Sequence, residues 1–79
     1  MAAAHLLELP VAEAERRLGS TLAECAAEDG GTRLLMRASS LDWVAGLLAG
    51  LECDFAVRRP PELRDRVRAL SQRLERCVG

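Results

Sequence analysis

The sequence predicts an α+β fold: one small domain over residues 1–79 with elements in the order β-α-β-β-α-β-α. Three observations carry this. Thr32–Ala38 and Cys53–Arg58 alternate apolar and polar residues with the period of two that marks half-buried strands. Leu41, Val44, Ala45, Leu48 and Leu51 recur at helical spacing between them. The run Glu28-Asp29-Gly30-Gly31 is a tight turn signal, which joins Thr32–Ala38 to the preceding segment as a hairpin.

Each element has its own reason. Ala3–Leu9 is a short apolar run ended by Pro10 and reads as the first strand. Alternation along it puts His5, Leu7 and Leu9 on one face and Leu6 and Glu8 on the other. Pro10 suits the first position of a helix from about Val11 to Leu18, because its missing N–H has no partner to lose there. Val11, Ala14, Glu15 and Leu18 form that helix's narrow stripe, and Gly19 stops it. Residues 20–27 are alanine-rich, which opposes a strand, but the following turn and strand need a hairpin partner, so a strand is expected. Ser39 is placed to cap the next helix, with Asp42 three residues on completing a capping box. Gly46 and Gly50 each cost that helix roughly 1 kcal/mol relative to Ala and would permit a close approach to the sheet. Pro60-Pro61 ends the fourth strand, since proline cannot donate to a ladder. Pro61 then starts a last helix carrying Leu63, Val67, Leu70, Leu74 and Cys77 at spacings of four and three, a seam expected to dock on its own domain or on a partner. The first six elements are the ferredoxin-like order: a two-layer sandwich with both early helices on one face of an antiparallel sheet, here with an additional C-terminal helix.

Composition narrows the function classes. A chain this short buries only about 60–65% of its unfolded surface, so oligomerisation or attachment to a larger chain is expected. Cys25, Cys53 and Cys77 are far apart, with no CxxC and no Cys/His pair at metal spacing. Such an odd, dispersed set suggests reduced thiols and a cytoplasmic protein. The start MAAAHLLELP has neither the basic beginning nor the long apolar core of a signal peptide, and no apolar run approaches a membrane span. Charge is divided: residues 1–31 hold six acids and two arginines, while residues 58–79 hold seven arginines and three acids. Every basic residue is arginine. The interleaved Glu62, Asp65 and Glu75 make the last helix read as a solvated, salt-bridged face before a nucleic-acid surface.

No catalytic constellation, metal site or cofactor site is expected. His5, the one histidine, has no nucleophile or carboxylate at motif spacing. The open sheet face is the most informative surface. Alternation gives it Leu6, Glu8, Arg33, Leu35, Arg37, Asp54, Ala56 and Arg58. Arg33, Arg37 and Arg58 could hold an anion, but the face has no aromatic residue for base stacking. A mixed apolar and charged face is more often a protein contact, so Leu6 and Leu35 are candidate interface residues, together with Val67 and Leu74 on the last helix. Trp43 lies off its helix's main stripe and reads either as an exposed interface anchor or as a cap on the core edge. The cysteines read as small apolar residues.

The segment SLDWVAGLLAGLECDFAVRRPPELRDRVRALSQRL resembles the C-terminal extension, or WCX domain, of bacterial WYL-domain transcriptional regulators. The matching parts are Ser40-Leu41-Asp42-Trp43-Val44-Ala45, Leu47 to Val57, and Pro60-Pro61-Glu62-Leu63. Upstream, HLLELPVAEAERRLG resembles the family's first strand and helix, and EDGGTRLLMRA its hairpin. Glu52 departs from the pattern, since the family usually has Gly after this helix; either Gly50 serves as the stop or the turn differs. Family members usually carry a winged helix-turn-helix and a WYL domain before this module, and neither fits in this chain. The resemblance implies a non-enzymatic module that helps a regulator dimerise and relays effector binding to its DNA-binding domain. It implies a homodimer or a WYL-domain partner, contact with DNA only through a separate domain, and an effector of nucleic-acid or nucleotide type. A different class of function, a small sensor taking an anionic metabolite or oligonucleotide on the open sheet face, is the alternative.

Overall fold

A computed structural model describes residues 1–19, 23–37 and 39–79. The elements are β1 (Ala2–Leu6), α1 (Val11–Leu18), β2 (Glu24–Glu28), β3 (Gly31–Met36), α2 (Leu41–Ala49), β4 (Phe55–Arg59) and α3 (Pro61–Val78). The strands make one sheet in the order β2-β3-β1-β4, with every neighbouring pair antiparallel. The fold is therefore α+β, a four-stranded antiparallel sheet with three helices. The expected start of β2 at residues 20–22 and the expected end of β3 at Ala38 lie outside the described residues.

Alternation decides which side of the sheet is covered. Ala2, Ala4 and Leu6 of β1 and Leu34 and Met36 of β3 pack with Ala14 and Leu18 of α1 and with Val44, Ala45 and Leu48 of α2. Phe55 and Val57 of β4 join this core from the edge. Ala3, His5, Arg33, Leu35 and Ala56, the residues between them, face away, as their register shows: Ala3 lies opposite Leu35, and His5 opposite both Arg33 and Ala56.

Leu6 therefore belongs to the core and is fully buried, which corrects its expected place on the open face. The strand ends at Leu6 instead of running to Leu9. Glu8 turns the chain with a φ of 59°, and Leu9 folds back into the core. Thr32 Oγ1 donates to Leu9 O at 2.7 Å and ties the turn down. Counting Leu7 and Leu9 in the strand makes the His5 face the apolar one; with the strand ending at Leu6, the apolar face is that of Ala2, Ala4 and Leu6.

The hairpin turn is Asp29-Gly30, both at positive φ (45° and 79°). This is the two-residue turn whose twist matches antiparallel strands. Gly31 opens β3 where a Cβ would overlap Leu6 O, so no side chain fits there.

The cap of α2 is Ser40, whose Oγ accepts from the Trp43 N–H at 3.2 Å, in place of the expected Ser39. Asp42 stands in the first turn, where its charge suits the helix dipole, but its carboxylate pairs with Arg66 of α3 at 3.0 Å. Gly46 does not meet the sheet as expected; a Cβ there would have nothing within 4 Å. Helix α2 ends at Ala49 with Gly50 in right-handed geometry, and Glu52 takes the left-handed position at φ 59°. Pro61 begins α3, which packs along α2 and beside β4. Leu63 is buried in the core and Val67 and Leu70 lie against it, while Leu74, Cys77 and Val78 are exposed.

Candidate interaction surfaces

On the open sheet face the three arginines do not act alike. Arg58 reaches across the sheet to Glu28 at 2.5 Å. The Arg58 guanidinium, through its hydrogen bond and charge, holds the Glu28 carboxyl below its ordinary value of 4.5. His5 lies buried beside them, with Nε2 2.9 Å from Glu28 O. A carbonyl only accepts, so Nε2 carries the proton in this contact. Arg33 and Arg37 are exposed. They stand four residues apart on one stretch of chain, about 13 Å between Cα atoms, so they meet on one phosphate only by leaning together over Leu35. Leu35 is half-buried between them.

The candidate interface residues are thus separated. Leu6 lies in the core and Val67 packs against it. Leu35 faces the open side of the sheet. Trp43 is 48% exposed and Leu74 47% exposed. Trp43 stands outside the core cluster and so does not cap the core edge. It lines a shallow hollow of about 250 Å³ with Arg37, Ser39 and Ser40.

Two concave surfaces arise only where elements meet. The first is a groove of about 530 Å³ between α2 and α3, floored by Ala45, Gly46, Ala69 and Leu70 and edged by Arg66, Arg73 and Arg76. The seven-residue spacing of Arg66 and Arg73 was its one sequence signal. The second is a hollow of about 740 Å³ where three turns converge. Leu7, Glu8, Asp29, Glu52, Cys53 and Asp54 line it, with Arg17. Arg17 is committed: it pairs with Glu13 and donates to Leu51 O. No local pattern announces this hollow, because its acids come from three separate connections.

Burial pushes the Cys25 thiol up, with the Glu15 charge adding to it. Burial also raises Cys53, the nearby Arg17 opposing and Asp54 adding. Both therefore sit as protonated thiols at neutral pH, poor nucleophiles. Among the described residues no group of three or more His, Cys, Asp and Glu side chains is arranged to hold a metal ion. Among the described residues no helix is long and apolar enough to cross a membrane.

The model of the WCX domain family matches residues 2–74. The chain belongs to the WCX domain family. Neither a curated protein nor a solved structure matches it. The match runs from β1 to Leu74 and so takes in the whole sheet, α1, α2 and most of α3. In this WCX domain Glu52, where the sequence departs from the family's pattern, is left-handed, and the PPEL run forms the N-cap and first turn of α3.

Proposed function

We propose that this WCX domain is a non-enzymatic regulatory and dimerisation module of a bacterial, cytoplasmic WYL-type transcriptional regulator. The family match over residues 2–74 carries the reading. The exposed Trp43 and Leu74 and the two charged concavities support it, as apolar anchors beside charge are what a protein contact uses. The element order β-α-β-β-α-β, with strand order β2-β3-β1-β4 and antiparallel pairing, supports the finer reading of the fold as ferredoxin-like. The mechanism is mechanical. Contacts made by this domain hold two protomers in one arrangement, and an effector bound elsewhere in the regulator biases that arrangement and, through it, the DNA-binding domain.

Molecular mass in solution, measured by light scattering over a concentration series with and without an added WYL domain, tests this. The expected result is a concentration-dependent dimer or a stable complex with the WYL domain. A well-folded monomer at every concentration that also ignores the WYL domain would overturn the reading.

A further inference from the structure

The division of charge along the chain becomes a division of surfaces. Arg66 pairs with Asp42 in the first turn of α2, and Ala69, Leu70 and Arg73 line the same groove as Ala45 and Gly46. Helix α3 therefore runs alongside α2 in the same direction. At about 1.5 Å per residue, its turns beyond Arg73 extend past the C-terminal end of α2, the end where Glu52 and Asp54 lie. Those turns carry an uncovered apolar edge, Leu74 at 47% and Val78 at 86% exposure, beside Arg73 and Arg76. The hollow at that end carries the complement: Leu7, 41% exposed, among Glu8, Asp29, Glu52 and Asp54. Its lining holds four carboxylates against one arginine, already committed. Among the described residues the ion pairs involve none of these four acids, nor Arg73 or Arg76.

Other self-contacts are disfavoured by the same charges. Arg66 and Arg73 each precede a seam residue of α3, so two α3 seams packed antiparallel set arginine against arginine. The outer edge of β2 carries Glu24 and Glu28, which oppose one another if two β2 strands pair about Ala26. The outer edge of β4 is already occupied by Arg64, whose guanidinium bonds Val57 O at 3.1 Å and Arg58 O at 3.4 Å.

We propose that the last two turns of α3 dock into the Leu7–Asp54 hollow of a second copy of this chain, and that the second copy returns the contact. Leu74 and Val78 meet Leu7, while Arg73 and Arg76 meet the four acids. Helix tip and hollow lie at the same end of the domain, so a two-fold axis at that end lets both copies make the contact at once. The docking names the partner surface for the dimerisation reading above and rests on it.

A charge exchange tests it by sedimentation equilibrium on the 79-residue chain. One variant carries Arg73→Glu and Arg76→Glu; the other carries Glu52→Arg and Asp54→Arg. All four positions are exposed, and circular dichroism checks that each variant folds. Each variant alone is expected to associate roughly tenfold or more weakly than the wild type, and an equal mixture of the two is expected to regain wild-type association as a mixed pair. A wild-type dimer left intact by both variants, or variants that lose association and do not recover on mixing, would overturn the docking while leaving dimerisation standing. A wild type that is monomeric throughout would overturn the docking and the homodimer together.

Discussion

Replacing Glu52 by glycine should stabilise this domain. Glu52 has φ 59°, where the Cβ of an L-residue crowds the following carbonyl oxygen. That conformation costs an L-residue about 1–2 kcal/mol. Glycine does not bear this cost but gives up roughly 0.4–1 kcal/mol through the greater freedom of its unfolded chain. The net gain is therefore about 0.5–1 kcal/mol. For a domain of this size 1 kcal/mol moves the midpoint by about 4–8 °C, so Glu52→Gly should raise Tm by roughly 2–8 °C. The assay is thermal unfolding followed by circular dichroism, at a protein concentration low enough to keep association out of the measurement. Gly50→Ala is the matched control. Gly50 is right-handed, and a Cβ there would make only ordinary contacts at 3.5 and 3.6 Å, so alanine should leave Tm unchanged or slightly raised. An unchanged or lower Tm for Glu52→Gly, or a loss of several degrees for Gly50→Ala, would refute the assignment of the left-handed position to Glu52.

Further outcomes follow from the core, the sheet face and the thiols. Leu6→Ala should cost about 2–5 kcal/mol in urea unfolding, the range for opening a cavity under a buried leucine; a loss of association with stability intact would instead return Leu6 to the surface. The Glu28–Arg58 pair should support folding at neutral pH and fade in acid. The folded carboxyl titrates below 4.5, so its contribution is fully present above that value and declines as pH falls through the lowered one. Arg58→Ala should therefore flatten the pH dependence of Tm below about pH 4.5, and an unchanged acid limb would count against the pair. A maleimide at pH 7 should label Cys77 first and Cys25 and Cys53 slowly, as peptide mass mapping would show, since only Cys77 is exposed and burial raises the other two. Equal labelling of all three in the folded protein would contradict that order.

What could be read from the sequence was whatever local spacing controls. The stripe of α2 was legible because Leu41, Val44, Ala45, Leu48 and Leu51 need only a helical period to share a face. The hairpin was legible because Asp29-Gly30 is a backbone requirement written in two residues. The face of β1 was not, because AAAHLLEL is apolar enough to place a strand's end anywhere from Leu6 to Leu9, and burial of Ala2, Ala4 and Leu6 comes from the helices laid over them. Ser39 and Ser40 are equivalent caps by composition, and only the path of the chain into α2 selects Ser40. Asp42 likewise looks like a capping acid until α3 brings Arg66 beside it. Of the two charged concavities only the α2–α3 groove left a local trace, the seven-residue spacing of Arg66 and Arg73. One needs α2 and α3 side by side, and the other needs three distant turns at one end of the sheet.

The backbone at that end is strained. Among the described residues the non-glycine ones at positive φ are Glu8, Asp29 and Glu52, and all three line the same hollow. Asp29 is understandable on local grounds, since aspartate tolerates the left-handed region and the hairpin turn demands it. Glutamate has no such allowance, and glycine would serve better at both Glu8 and Glu52 if turn geometry were all that mattered. The cost, about 1–2 kcal/mol at each, falls on a domain small enough for that to be a sizeable share of its stability. Strained non-glycine residues tend to gather where a surface is used. Here the strain does more than mark a place. It sets two carboxylates on turns that glycine would leave uncharged, so the feature that weakens the fold is the one that makes the hollow acidic.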